Sequence, residues 1–162
     1  MRIQVILTGG TIDKLYNPLK GELGFTQTHI PAALEQGRCG VDLEIQQLCL
    51  KDSLDMTDED RAQILEACRS SAHQQIVITH GTDTMAETAR YLIAANPNKT
   101  IVLTGAMIPL SVNGSDGLFN LGSALVAVQT MPVGVYIAMN GRVFHGAQVT
   151  KNRALGVFEA LH

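Results

Sequence analysis

The 162-residue sequence lacks tryptophan, has few other aromatic residues and contains no run of basic residues. Lysine and arginine together number 12 against 15 aspartate and glutamate residues, so the formal net charge at pH 7 is -3. Because nucleic-acid-binding domains carry a basic patch, this balance argues against nucleic acid as a partner. The hydrophobic fraction of 46% is that of a globular domain with a sizeable core, which excludes disorder and fibrous repeats.

Patterns that bind metals or form disulfides are also missing. The three cysteines, Cys39, Cys49 and Cys68, are an odd number without CxxC spacing, so they predict neither a disulfide framework nor a zinc cluster. The five histidines show no HxH or HExxH spacing. We therefore expect no metal and no cofactor, and we expect a reducing compartment, the cytoplasm.

Targeting and membrane-spanning segments are not recognisable either. The apolar run at residues 3–7 is too short for a secretory signal. The longest charge-free stretch, residues 117–141, is interrupted by polar residues and proline, whereas a membrane span needs roughly 20 mostly apolar residues. We interpret it as a buried helix followed by a buried strand, and we expect no membrane partner.

Short apolar runs rich in β-branched residues predict buried strands at residues 3–7, 76–78, 101–103 and 133–137. Residues 42–50 alternate less cleanly, with polar residues between the apolar ones, and predict a strand nearer a sheet edge. The ending, residues 152–162, is interpreted as a last helix or a tail.

Helical patterns lie between the predicted strands. Thr57 and Asp60 resemble a capping box, and Thr84 and Glu87 repeat that start signal. A third helical stripe is formed by Leu118, Leu121, Leu125 and Val128. This alternation predicts an α/β fold with three layers, a doubly wound, mainly parallel sheet with helices on both faces, as a single domain over residues 1–162.

Ligands of such folds lie beyond the carboxyl ends of the strands. The segments at those ends are polar or glycine-rich, namely residues 8–12, 52–56, 79–84 and 104–109. The connection at residues 13–29 is the one long irregular loop, and long loops beside a site are often lids. The site is therefore expected at this edge of the sheet.

Two of these segments carry threonines directly after a strand. TGGT at residues 8–11 forms a tight turn whose backbone N–H groups can hold an oxyanion, although a plain turn would use the same glycines. HGTDT at residues 80–84 follows the next buried strand. A threonine hydroxyl needs a base or a charged neighbour to become a nucleophile, whereas helix capping is the simpler role for Thr82 and Asp83. GxGxxG and GxxxxGK[ST] are absent, so a nucleotide site is not supported.

Five separated motifs resemble the bacterial-type L-asparaginases, in the same order and over essentially the whole chain. They are TGGTI at 8–12, HGTDT at 80–84, TGAM at 104–107, SDGLFNL at 115–121 and VTK at 149–151. In that family these segments form the amino-terminal α/β domain that carries the catalytic residues. The resemblance implies hydrolysis of L-asparagine to L-aspartate and ammonia by an amidohydrolase with a threonine nucleophile.

The resemblance also assigns catalytic residues. Thr11 matches the nucleophile that forms the acyl-enzyme. Thr82, Asp83 and Lys151 match the second catalytic group, with Lys151 acting as a base when neutral or lowering the proton affinity of the Thr82 hydroxyl when charged. Tyr16 is the only tyrosine of the long loop, and it is the candidate hydroxyl beside Thr11.

Substrate-binding positions follow in the same way. Asp83 matches the position that binds the α-ammonium group, and Ser53 the position that binds the α-carboxylate. The backbone N–H of Thr82 is expected to hold the oxyanion, and the carbonyl of Ala106 to accept a hydrogen bond from the leaving nitrogen. Leu54 stands where long members often have glutamine, so this chain lacks one substrate-binding amide.

Long members have a second, carboxyl-terminal domain that completes the pocket of a neighbouring subunit. The chain is therefore expected to be either a short form or the amino-terminal catalytic domain of a longer member, and a homodimer or homotetramer is expected to close its site. Two alternatives stay open. One is a non-catalytic module that binds a small amino acid, and the other is the amidase subunit of a tRNA-dependent amidotransferase.

Overall fold

A six-stranded, mostly parallel sheet forms the centre of the fold. The computed structural model describes residues 1–162. The strands are β1 (Ile3–Gly9), β2 (Leu15–Asn17), β3 (Glu22–Gly24), β4 (Leu43–Lys51), β5 (Gln75–Thr79), β6 (Thr100–Thr104), β7 (Gly134–Met139), β8 (Arg142–His145), β9 (Val149–Asn152) and β10 (Val157–Ala160). The helices are α1 (Ile30–Gln36), α2 (Asp58–Ser70), α3 (Met85–Ala95) and α4 (Gly117–Thr130).

The order of strands in the main sheet determines where a ligand can lie. It is β4-β1-β5-β6-β7-β8, with β8 antiparallel to β7 and all other neighbours parallel. The predicted strands are confirmed, including the position of β4 at an edge. From β1 the chain moves to β4 on one side, whereas β5, β6 and β7 extend on the other. The winding therefore reverses between β1 and β5, and their carboxyl ends flank the crevice in which such folds bind ligands.

Both faces of the sheet are covered by helices. Successive side chains of each strand point to opposite faces, so Ile76 and Ile78 pack with α2 and α3, whereas Val77 packs with α1 and α4. The two buried clusters comprise 19 and 17 residues and share no member, which is the pattern of a three-layer core. The predicted helical stripe of α4 is confirmed, since Leu121, Leu125 and Val128 are buried.

The two predicted capping boxes, at the starts of α2 and α3, differ in the structure. At α2 the predicted capping box is confirmed, since the Thr57 hydroxyl accepts from the Asp60 N–H and the Asp60 carboxylate accepts from the Thr57 N–H. At α3 the predicted start is confirmed, since Thr84 is the N-cap residue, but its side chain makes no capping hydrogen bond. Its hydroxyl instead donates to the carbonyl of Ser53, 2.8 Å away, and so joins two strand-end loops.

The last residues do not form the helix or tail expected from the sequence. Residues 149–160 form an antiparallel hairpin of β9 and β10. Gly156 has a φ of +65°, and its N–H donates to the carbonyl of Asn152, which closes the turn. Phe158 packs into the core, and its N–H donates to the Asn140 side chain. This hairpin places β9 beside the carboxyl ends of the central strands.

The long loop also contains regular structure. A small hairpin of β2 and β3 lies within residues 13–29, with Tyr16 opposite Leu23. The cysteines form no disulfide, and no three histidine, cysteine, aspartate or glutamate side chains are grouped as metal ligands. None of the four helices combines the length and apolarity needed to cross a membrane.

Candidate functional site

Two backbone turns meet at the crevice between β1 and β5. Gly10 has a φ of +80°, and a Cβ on Gly10 would overlap the backbone of Gly81. The two glycines therefore allow direct backbone contact at the ends of neighbouring strands. Thr11 and Thr82 are the residues that follow them, so the fold brings both predicted hydroxyl residues to one place.

Substitution of Gly10 by alanine should lower the free energy of unfolding by about 3 kcal/mol or more, because the new methyl group overlaps backbone that cannot move aside. Gly21 is a matched control, with a φ of +67° but open space around the position of its Cβ. Gly21→Ala should cost only about 1 kcal/mol for the left-handed conformation. Urea unfolding of both variants measures the difference, and equal losses would contradict the close packing of the two turns.

The side chain of Lys151 joins Thr82 to Asp83. Its Nζ donates to the Thr82 hydroxyl at 2.7 Å and to Oδ1 of Asp83 at 2.9 Å. Only 11% of the Lys151 side chain is exposed, so Lys151 is buried against its partners and is not a solvated surface lysine. An amine, a hydroxyl and a carboxylate thus form a contiguous polar cluster after Gly81, whose backbone meets that of Gly10, the residue before Thr11.

Thr11 is half-buried, and its side chain makes no hydrogen bond to the protein. It begins a single turn of 3-10 helix, Thr11–Asp13, after the glycine turn. The backbone N–H of Thr82 has no acceptor within the chain. A free hydroxyl next to a free N–H is the arrangement that an acyl-transfer site requires.

Ser53 lies in the neighbouring strand-end loop, at the start of the 3-10 turn Ser53–Asp55. Its Oγ accepts from the N–H of Thr84 at 3.3 Å, and the residue is only 1% exposed. A Cβ on Gly81 would overlap its side chain, so Ser53 packs directly under the backbone that precedes Thr82. The structure therefore brings Ser53 to the cluster, but as a buried and already bonded residue.

Ala106 is buried in the loop after β6, and its carbonyl accepts no hydrogen bond. The loop is held by two residues of the SDGLFNL motif that the sequence analysis did not assign to this role. The Asp116 carboxylate accepts from the N–H groups of Met107 and Ile108, and the Asn120 amide donates to the Gly105 carbonyl. The sequence shows that Asp116 and Asn120 stand four residues apart in this motif. It does not show that both bind the backbone of the loop after β6.

Tyr16 is not joined to the other candidates. It is 55% exposed in β2, its hydroxyl makes no hydrogen bond, and it lines a cavity of about 360 Å³ beneath the small hairpin. The base of this loop is fixed by Asp13, whose buried carboxylate accepts from the Thr28 hydroxyl and the His29 N–H. Burial raises the pKa of Asp13 above its usual range, because desolvation outweighs these hydrogen bonds.

His80, the first residue of HGTDT, supports the Thr82 loop from within the core. Its Nδ1 is 2.7 Å from the carbonyl of Gly81, and its Nε2 is 2.8 Å from the Thr88 hydroxyl. The Nε of Arg61 donates to that hydroxyl in turn. Complete burial lowers the pKa of His80 to about 4. The neutral ring therefore stabilises the Thr82 loop by hydrogen bonds and has a structural role. The absence of HxH or HExxH spacing in the sequence does not reveal these partners.

The buried His80 should make stability depend on pH. Below pH 6.5 the unfolded chain binds a proton at this residue, whereas the folded chain does not until about pH 4. The free energy of unfolding should therefore fall as the pH falls through this window, by up to about 3 kcal/mol. Urea unfolding at several pH values tests this, with the exposed His145 as control. His80→Gln should flatten the dependence and His145→Gln should not, whereas equal slopes in all three proteins would contradict it.

The candidate site is not an enclosed cavity in this chain, although Thr82 and Lys151 are themselves largely buried. None of the five cavities includes Thr11, Thr82 or Lys151. The largest groove, about 610 Å³, is lined by α4 and β8 instead. Its apolar walls offer no titratable group, so the polar cluster and not this groove is the place for chemistry.

Comparison with known proteins relates this geometry to one family. Residues 2–160 match the family model described as "Asparaginase, N-terminal". L-asparaginase 1 of Escherichia coli K12 is 37% identical over 166 residues, which cover 95% of this chain and 48% of that protein.

Two solved structures show the same fold. The thermostable L-asparaginase from Thermococcus kodakarensis matches with a TM-score of 0.88 at 30% identity, over 99% of this chain and 51% of that one. A probable cytoplasmic L-asparaginase from Campylobacter jejuni matches with a TM-score of 0.82 at 30% identity, over 98% and 52%. The chain thus spans about half the length of these relatives.

Proposed function

This chain belongs to the asparaginase family, and we propose that it hydrolyses the side-chain amide of L-asparagine to give L-aspartate and ammonia. The observation that carries the proposal is the contact of Lys151 with both Thr82 and Asp83 beside the free hydroxyl of Thr11. These residues match the catalytic positions implied by the resemblance. Their arrangement supplies a nucleophile, a charged neighbour and a backbone donor, which are the parts that amide hydrolysis needs.

In the first step, Oγ of Thr11 attacks the side-chain amide carbon. The N–H of Thr82 stabilises the negative charge on the amide oxygen, because its donor has no other acceptor. The C–N bond then breaks, and the proton of the Thr11 hydroxyl ends on the leaving nitrogen as ammonia. Tyr16 serves as the partner for this proton transfer once the loop closes, and the carbonyl of Ala106 accepts a hydrogen bond from the leaving nitrogen.

In the second step, water cleaves the ester between Thr11 and the acyl group. The Thr82 hydroxyl orients this water, and Lys151 polarises the hydroxyl through its 2.7 Å contact. One proton of the water returns to Oγ of Thr11, and the hydroxide becomes part of the new carboxyl group. Asp83 binds the α-ammonium group throughout, and Ser53 contributes to binding of the α-carboxylate.

We also propose that residues 1–162 form one domain that works in a homodimer or homotetramer in the cytoplasm. The two apolar clusters that share a single sheet support one domain. The absence of an enclosed cavity around the cluster supports assembly, because a partner that excludes water strengthens the electrostatic interactions that the mechanism uses. The unpaired cysteines and the similarity to the probable cytoplasmic L-asparaginase of Campylobacter jejuni support the compartment.

Ammonia release from L-asparagine, and separately from L-glutamine, tests the proposed function. The purified chain is assayed after its mass in solution has been measured, so that activity is related to a known assembly. Turnover of L-asparagine by the folded chain is the expected result. No ammonia from a folded chain in any assembly it forms would contradict the proposed function.

A further inference from the structure

Arg153 lies at the edge of the polar cluster without a hydrogen bond of its own. It lies in the turn directly after β9, two residues beyond Lys151, and both side chains reach Oδ1 of Asp83. Its Nε is 3.7 Å from Oδ1 of Asp83, which is too long for a hydrogen bond. The Arg153 side chain is 66% exposed. Its five N–H donors are therefore free to bind another acceptor.

The charges around Asp83 leave one oxygen available. Lys151 and Arg153 both approach Oδ1, whereas Oδ2 has no partner within the chain. An α-ammonium group can bind Oδ2 without displacing either cation. The α-carboxylate is attached to the same carbon atom as that ammonium group, so it lies within reach of the free guanidinium.

The α-carboxylate has few other donors in this chain. The buried Oγ of Ser53 accepts from the N–H of Thr84, so this side chain can offer only its single O–H to one carboxylate oxygen. Leu54, which is exposed, has no polar atom in its side chain. A carboxylate prefers the planar fork of arginine, which can bind both of its oxygens at once.

We propose that Arg153 binds the α-carboxylate of the amino-acid substrate and sets the requirement for that group. The proposal rests on the proposed function for the identity of the substrate. Asp83 and Arg153 together then recognise the two charges of a free amino acid. A substrate without a free α-carboxylate, such as a peptide-linked asparagine, binds without this contact.

Binding of two stable ligands separates this role from a structural one. L-Aspartate carries the α-carboxylate, whereas its α-amide, L-isoasparagine, carries an uncharged amide at that position. Calorimetric titration is carried out on the wild type, Arg153→Ala and Arg153→Lys. Arg38→Ala is the control, since Arg38 is an exposed arginine without an ion pair near the opposite edge of the sheet.

Arg153→Ala should weaken binding of L-aspartate about tenfold, a typical effect of losing a charge-assisted hydrogen bond, and binding of L-isoasparagine less than twofold. Arg153→Lys should give an intermediate loss, and Arg38→Ala none. In kinetics, Arg153→Ala should raise KM for L-asparagine about tenfold with kcat within twofold. Equal losses for the two ligands, or no loss for L-aspartate, would overturn the proposal.

Failure of the proposed function gives a different result. A wild-type chain that releases no ammonia but binds L-aspartate in an Arg153-dependent way contradicts the hydrolysis and supports the role of Arg153. A wild-type chain that binds neither ligand overturns the role of Arg153 as well.

Discussion

Replacement of Thr11 by alanine should reduce ammonia release from L-asparagine by at least about 10³-fold, because the substitution removes the attacking oxygen and leaves the binding groups in place. Thr11→Ser should retain measurable turnover, since it keeps the hydroxyl and loses only a methyl group. The half-buried side chain makes no hydrogen bond to the protein, so the alanine variant should fold normally. Its free energy of unfolding should change by less than about 1 kcal/mol.

The measurement is kcat for both variants with L-asparagine, together with urea unfolding as the control for folding. A folded Thr11→Ala protein with more than a tenth of the wild-type activity would exclude Thr11 as the nucleophile. Activity in the serine variant alone would show that the hydroxyl, and not the volume of the residue, is required.

Most of the main sheet could be predicted from the sequence because local signals agree with the fold there. The central strands are β-branched runs buried on both faces, and the capping box of Thr57 and Asp60 starts α2 at the predicted residue. The hairpins were missed for a physical reason. The strands β9 and β10 are four residues each, and the apolar spacing of so short a segment fits a helix equally well.

The site was predictable only in part. The predicted strands and the motifs that follow them place hydroxyl residues at two strand ends. Lys151 was assigned as their partner from the family resemblance, and no spacing in the sequence indicates it. The contact of Arg153 with Asp83 joins segments that lie far apart in the sequence. The contact of Asp116 with the N–H of Met107 depends on the turn between them. No local signal indicates them, because they exist only after the sheet has assembled.

The chemistry of Lys151 gives the second large expected effect. Lys151→Met keeps the length and apolar stem of the side chain but removes the Nζ that contacts Thr82 and Asp83. We expect kcat for L-asparagine to fall by about 10²–10⁴-fold, the range for loss of a group that assists proton transfer. Thr82→Val should give a loss of similar size, since it removes the hydroxyl that Lys151 polarises.

The double variant shows whether the two residues act as one unit. If Lys151 works through the Thr82 hydroxyl, Lys151→Met combined with Thr82→Val should be little slower than either single variant. Lys51→Met is the matched control. Lys51 also forms a lysine–aspartate ion pair, with Asp60 at 2.8 Å, but this pair lies outside the candidate site. The Lys51→Met variant should leave kcat within about twofold, since neither Lys51 nor Asp60 contacts Thr82, Asp83 or Lys151. Losses that multiply in the double variant would show that Lys151 and Thr82 act in separate steps, with Lys151 serving Asp83 alone.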